Sequence, residues 1–135
     1  MSAWPAPLAG DIVWCRFPEQ EGISPADKPR PALVIDVDDA RSPTRVRVVY
    51  GTSKSVSRRG LGEFSILPSD GNAFKVSGLS VATRFSFRKA IVLDYTGLWF
   101  DLAPGDPPGE TPVLGILHAS LMRRAEAAFR EVHRA

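Results

Sequence analysis

The chain has 135 residues, 44% of them hydrophobic and 24% charged, which is the composition of an ordinary globular protein with enough apolar material for its own core. No apolar run approaches the roughly 20 residues that a bilayer crossing needs, so a membrane-spanning role is excluded from the expectations. The net charge of +2 hides a gradient: residues 1–40 carry −4, and residues 41–60, with six basic and no acidic side chains, carry +6.

Residues 1–9 read as a loose Pro/Ala arm, without the basic-then-apolar pattern of a secretory signal. Asp11 to Phe17 reads as a first strand, because Ile12, Val13, Trp14, Cys15 and Phe17 favour extended backbone. Cys15 is the single cysteine, so no intramolecular disulfide forms, and a cytoplasmic protein with Cys15 as a small core residue is expected. Pro18 to Pro29 is polar, contains Gly22, and reads as a loop.

The run Lys28-Pro29-Arg30-Pro31-Ala32-Leu33-Val34-Ile35 is the most informative segment. Pro31 restricts Arg30 to extended backbone angles. Its own missing N–H is tolerable only at a strand start or edge. The Arg30 guanidinium is therefore held at a strand mouth by stiff backbone, a good place for an anion-binding group; an exposed loop arginine is the plainer alternative. Pro31 to Val37 is nearly continuous apolar sequence, as in a strand buried on both faces or set in a barrel wall. Residues 38–43 read as a turn.

Thr44 to Tyr50 alternates, with Arg45, Arg47 and Val49 on one face and Val46, Val48 and Tyr50 on the other. The strand runs into Gly51-Thr52-Ser53-Lys54 and then a basic, glycine-containing loop over residues 54–62. Such a basic stretch suits a polyanion such as RNA or DNA, and equally suits a solvated strand face. Glu63 to Leu67 reads as a short strand and Pro68 to Asn72 as a turn. Arg84 to Leu93 and Leu98 to Phe100 are later strands, with Phe85, Phe87, Ile91 and Leu93 on or near the core. Asp101 to Pro112 is a surface loop rich in Gly and Pro. Leu121, Ala125, Phe129 and Val132 recur at helical spacing, joined by Met122, and predict a helix over residues 119–133 with Ser120 as its N-cap. Arg123, Arg124, Arg130 and Glu131 fall on its polar face. Short strands followed by one late helix predict a mainly β fold, a small bent barrel with a helix packed on it, in a single domain over residues 1–135.

The usual enzyme signatures are missing: no phosphate-cradling glycine loop before a helix, no HExxH and no CxxC. His118 and His133 have no Cys or His at zinc-ligand spacing and read as a helix-end residue and a solvent residue. Asp36, Asp38 and Asp39 read as a strand end and turn rather than as ligands of a hard metal. No metal and no cofactor are expected. One metal-free chemistry remains, RNA cleavage in which the substrate's own 2′-hydroxyl attacks the adjacent phosphorus. The protein then stabilises the negatively charged phosphorane and helps to move two protons. Arg30 suits the electrostatic role, because its planar fork binds two phosphate oxygens at once. Thr52 and Ser53 suit hydroxyl donation to the same phosphate, or form an ordinary turn.

Three segments in order carry a family resemblance: Gly10-Asp11-Ile12-Val13-Trp14, Lys28 to Ile35, and Val48-Val49-Tyr50-Gly51-Thr52-Ser53. Together they resemble the MazF/PemK-type toxins of bacterial toxin–antitoxin pairs, over roughly the first 55 residues, with a matching architecture beyond. The resemblance implies an SH3-like barrel, a homodimer, and metal-independent endoribonuclease activity on single-stranded RNA that a cognate antitoxin blocks. Operator DNA enters only as a partner of the toxin–antitoxin complex. Arg30 and Thr52 stand at the family's catalytic positions and Ser53 at a neighbouring one. Residues 18–29 correspond to the segment that covers the substrate, where Glu19, Glu21 and Asp27 are candidate proton acceptors. Lys28, Arg45, Arg47 and Lys54 are the expected electrostatic guides for RNA. The alternatives are a non-enzymatic toxin of the same fold, acting like the gyrase poisons through helix-end residues such as His133 and Arg134, or a degenerate member kept as a regulatory binding module.

Overall fold

β-branched and aromatic runs set most of the strands. The computed structural model describes residues 4–18 and 24–133. Among them are β1 (Asp11–Cys15), β2 (Arg30–Asp38), β3 (Arg45–Thr52), β4 (Glu63–Ile66), a 3-10 turn at Pro68–Asp70 and α1 (Asn72–Val76). After these come β5 (Thr83–Asp94), β6 (Val113–Ile116), a second 3-10 turn at Ala119–Leu121 and α2 (Met122–Val132). The strands pair antiparallel in the order β4-β5-β3-β2-β1-β6 and curl into a half-barrel. The protein is mainly β with a C-terminal helix, the small-barrel architecture that the sequence pattern predicts.

Strand alternation divides the core between the two faces of the sheet. On the helix side, Ile12, Leu33, Val49, Phe64, Ile66, Phe85 and Phe87 pack with Leu121, Ala125 and Ala128. On the other side, Val13, Cys15, Ala32, Val34, Val46 and Val48 pack with Leu93, Tyr95 and Phe100. Each fully buried Val, Leu, Ile or Phe side chain contributes about 1.5–3 kcal/mol. Two carboxylates fasten α2 to the β4 region. Asp70 takes a two-pronged ion pair from Arg124 at 3.0 and 3.1 Å, and Arg124 also donates to Ser65 O. Glu131 takes a similar pair from Arg59 at 3.1 and 3.0 Å and accepts from the Gly62 amide at 2.7 Å.

The structure corrects several expectations. The described part of the N-terminal arm is not loose, since Trp4 meets the Tyr95 ring edge-on at 5.4 Å and Pro7 is buried. Leu98 to Phe100 is not a strand; its contribution is the single bridge Phe100↔Cys15. The residue capping the C-terminal helical segment is His118, whose Nδ1 accepts from the Ser120 amide at 3.0 Å. A 3-10 turn precedes α2, and Ala128 rather than Phe129 sits deepest, while Phe129 stays 40% exposed against the edge of Phe87. β6 and α1 were hidden in the sequence, because a four-residue strand containing a glycine and a five-residue helix leave no periodic signal. Gly78 and Gly115 explain how these two fit. A Cβ on Gly115 would overlap the Val76 carbonyl, and one on Gly78 the Leu114 carbonyl, so only glycine lets these backbones touch.

The acidic and reactive side chains of the scaffold have structural roles. Asp36 lies opposite Arg47, and Asp38 accepts from the Ala40 amide in the following turn. Among the described residues no three His, Cys, Asp or Glu side chains gather as a metal would require. Cys15 is fully buried, and burial pushes its thiol far above the usual range. Among the described residues no helix is long and apolar enough to cross a membrane.

Candidate functional site

Arg30 is the first residue of β2 and pairs with Cys15 of β1, so the proline-flanked arginine does open a strand. β2 and β3 pair with Ala32 opposite Tyr50. Continuing that register by two residues sets the position of Arg30 opposite that of Thr52, and cross-strand partners share a face of the sheet. Gly51 makes the approach possible, because a Cβ there would lie 2.6 Å from the Pro31 carbonyl oxygen and 2.8 Å from Phe85 Cε1. The strand ends that carry Arg30 and Thr52 are thus drawn together by a glycine lying against a proline.

This end of the sheet opens into a cleft of about 540 Å3. Arg30, Tyr50, Arg88, Lys89, Ala90 and Ile91 line it from the strands, and Phe17, Pro18, Ala26, Asp27, Lys28 and Lys54 from the connecting segments. Among the described residues, five cations therefore line the cleft with one carboxylate, Asp27. The floor is aromatic: Phe17 and Tyr50 meet at 5.2 Å between centroids, and the Lys89 ammonium stands 5.1 Å from the Tyr50 ring centroid. The Arg30 guanidinium has no ion pair among the described residues. By contrast Arg16, Arg45, Arg59, Arg84 and Arg124 each hold a carboxylate.

Thr52 is nearly buried and is not among the residues that line the cleft. Its Oγ1 accepts from the Lys54 amide at 3.2 Å, which leaves the hydroxyl proton free to donate. Ser53 is exposed next to it and outside the lining, while Lys54 and Lys28 line the cleft. The structure does not bring Arg45 and Arg47 to this site. They lie at the opposite end of β3 and, by strand alternation, on the other face from Tyr50 and Thr52. Arg45 is paired with Asp94 at 3.1 Å. Asp27 lines the cleft, whereas Glu19, Glu21 and Arg134 lie outside the described residues.

Sequence reasoning missed Arg88, Lys89 and the aromatic floor. A signal was present: Phe85, Phe87, Ile91 and Leu93 keep a period of two, and Lys89 occupies the position where an apolar residue is due. In the structure Phe85 and Phe87 enter the helix-side core, whereas Leu93 enters the other one. The face changes between them because β5 leaves its ladder there. Val49 pairs with Ala90 but Tyr50 pairs with Ser86, so Phe87, Arg88 and Lys89 have no partner on β3.

Near the cleft, Glu63 fixes the geometry of β4 and β5. Burial alone would raise its carboxyl, but hydrogen bonds from the Gly60 amide and Arg84, with the Arg84 and Arg88 charges, hold it below the usual range. The Arg84 contact, at 2.7 Å, ties β4 to the residue that lies opposite Thr52.

Residues 8–98 match the family model described as PemK-like, MazF-like toxin of type II toxin-antitoxin system. No curated protein matches the sequence. The matched span contains β1 to β5 and all twelve residues that line the cleft. With the curled sheet, the C-terminal helix and two thirds of the chain within the match, the protein belongs to the PemK-like, MazF-like toxins of type II toxin–antitoxin systems.

Proposed function

We propose that this toxin is an endoribonuclease that cleaves single-stranded RNA in the cleft at the ends of β2 and β3. The observation that carries the reading is the Arg30 guanidinium, which lines the cleft without an ion pair among the described residues, with the nearly buried Thr52 hydroxyl at the facing end of β3. A phosphodiester bound between them meets a planar two-pronged donor from one strand and a hydroxyl donor from the next. Both become more favourable as negative charge builds on the phosphorane, which is the requirement for catalysis rather than mere binding.

In this scheme the 2′-oxygen of the substrate attacks phosphorus and loses its proton to a base. The phosphorus–O5′ bond breaks, and the leaving 5′-oxygen takes a proton. The products are a 2′,3′-cyclic phosphate and a 5′-hydroxyl end. The substrate carries its own nucleophile, so the step needs no metal-bound water. Asp27 is the described carboxylate of the cleft and the candidate proton acceptor, with Glu19 and Glu21 from the adjoining loop as the other candidates. The Lys28 and Lys54 ammonium groups draw the RNA backbone in. As a type II toxin the protein has a cognate antitoxin as its partner, and we take the active form to be a homodimer in the cytoplasm.

The test is incubation of the purified protein with a long RNA in EDTA, followed by mapping of the fragment ends. The reading expects discrete cuts with cyclic phosphate termini, lost in Arg30→Ala and severely reduced in Thr52→Val. Growth arrest on expression with intact RNA, persisting in Arg30→Ala, would replace it with a non-enzymatic toxin.

A further inference from the structure

The excursion of β5 accounts for a part of the cleft that the Arg30–Thr52 pairing does not use. In a regular strand, neighbouring side chains point to opposite faces, so Arg88 and Lys89 would be separated by the sheet. Freed from β3, both line the cleft. The Arg88 stem crosses Gly62, while Lys89 stands over Tyr50. Neither forms an ion pair among the described residues, and Glu63, whose carboxylate feels the Arg88 charge, is held by Arg84 and the Gly60 amide. A phosphodiester bears a single negative charge. Arg30 and the hydroxyl beside it meet that charge, and Lys28, Lys54, Arg88 and Lys89 exceed it with only Asp27 in opposition among the lining residues. Like charges gathered in excess of their counter-charges repel one another, which favours a ligand that presents negative charge repeatedly.

We propose that Arg88 and Lys89, carried into the cleft by the three-residue excursion of β5, hold the phosphate next to the one engaged by Arg30. The cleft then takes a run of at least two consecutive phosphates of single-stranded RNA. The identity of the polymer rests on the RNA-cleavage reading above, whereas the position of the second phosphate rests on the path of β5. Arg88 and Lys89 are positioning residues here, since they grip the strand beside the reacting phosphate and fix which bond lies over Arg30.

The experiment is fluorescence anisotropy with a mixed-sequence 2′-O-methyl RNA, which offers phosphates but no attacking hydroxyl, across a salt titration. For Arg88→Ala/Lys89→Ala the expectation is a slope of log affinity against log salt shallower by about 0.7 for each phosphate the variant no longer neutralises, and binding about tenfold weaker near 0.1 M salt. Arg123→Ala/Arg130→Ala makes the same change in net charge on the polar face of α2 and is expected to leave the slope unchanged. Circular dichroism checks folding, and Arg88→Gln/Lys89→Gln repeats the test should the alanine pair not fold. Equal losses in both pairs reduce the effect to bulk charge and overturn the proposal, as does an unchanged slope for the cleft pair or no salt-dependent binding by the parent. Arg30-dependent cleavage with an unchanged cleft-pair slope refutes the second phosphate site alone. A parent that leaves RNA intact yet shows the cleft-pair slope change refutes the cleavage reading alone.

Discussion

Gly51→Ala tests whether the two strand ends must touch. An alanine Cβ at this position would lie 2.6 Å from the Pro31 carbonyl oxygen, 2.8 Å from Phe85 Cε1 and 3.1 Å from Phe85 Cδ1. Ordinary contacts to carbon begin near 3.4 Å, so the end of β3 must retreat from β2 by somewhat under 1 Å, or the fully buried Phe85 ring must turn. Overpacking of this kind costs about 1–3 kcal/mol. Alanine returns about 0.4–1 kcal/mol by restricting the unfolded chain, because Gly51 does not use a left-handed conformation. The net loss is about 1–2 kcal/mol, which for a chain of this length lowers Tm by about 4–7 °C. The same retreat carries Thr52 away from Arg30, and misplacement on this scale costs about 100-fold in a positioned reaction. Thermal unfolding by circular dichroism measures the first number. Single-turnover cleavage of a fluorogenic RNA at about 25 °C, where parent and variant are both folded, measures the second. A variant that melts with the parent and cleaves at the parental rate would refute the argument that Gly51 sets the spacing between the strands.

Other consequences concern the scaffold. The Arg124 hydrogen bond holds the Asp70 carboxyl below the ordinary value of 3.8, and Glu63 is likewise held below 4.5. Depressed carboxylates stabilise the folded state above their unfolded values and lose that contribution as pH falls through their folded ones. The urea midpoint is therefore expected to fall as pH drops below about 4.5, and Asp70→Asn should flatten that fall while costing about 0.5–1 kcal/mol at about pH 7. Gly115→Ala places a methyl group onto the Val76 carbonyl at the contact of α1 with β6, where backbone lies on both sides. It should cost about 3 kcal/mol in denaturant unfolding, near the upper end for overpacking. Cys15 should resist iodoacetamide in the native protein and react once the chain is unfolded, because its sulfur is shielded and its thiolate disfavoured.

Local sequence determined the outline of this protein wherever a residue acts through its own backbone or through a run of neighbours. Pro31 fixed Arg30 at a strand mouth without help from the rest of the fold, because its ring constrains the residue before it. The apolar runs placed β1 to β5 to within a few residues, and helical spacing placed α2. The tertiary structure decided what depends on separate segments meeting. Gly115 and Gly78 give no periodic signal and acquire meaning only where two backbones touch. Arg45 and Arg47 look like cleft residues in a basic stretch, yet the parity of β3 turns them away from Tyr50 and Thr52. Arg88 and Lys89 look like a break in a strand, yet the missing register between Val49 and Tyr50 turns them into the cleft. Side-chain direction in a sheet follows pairing, pairing is set by a partner tens of residues away, and a three-residue excursion reverses it.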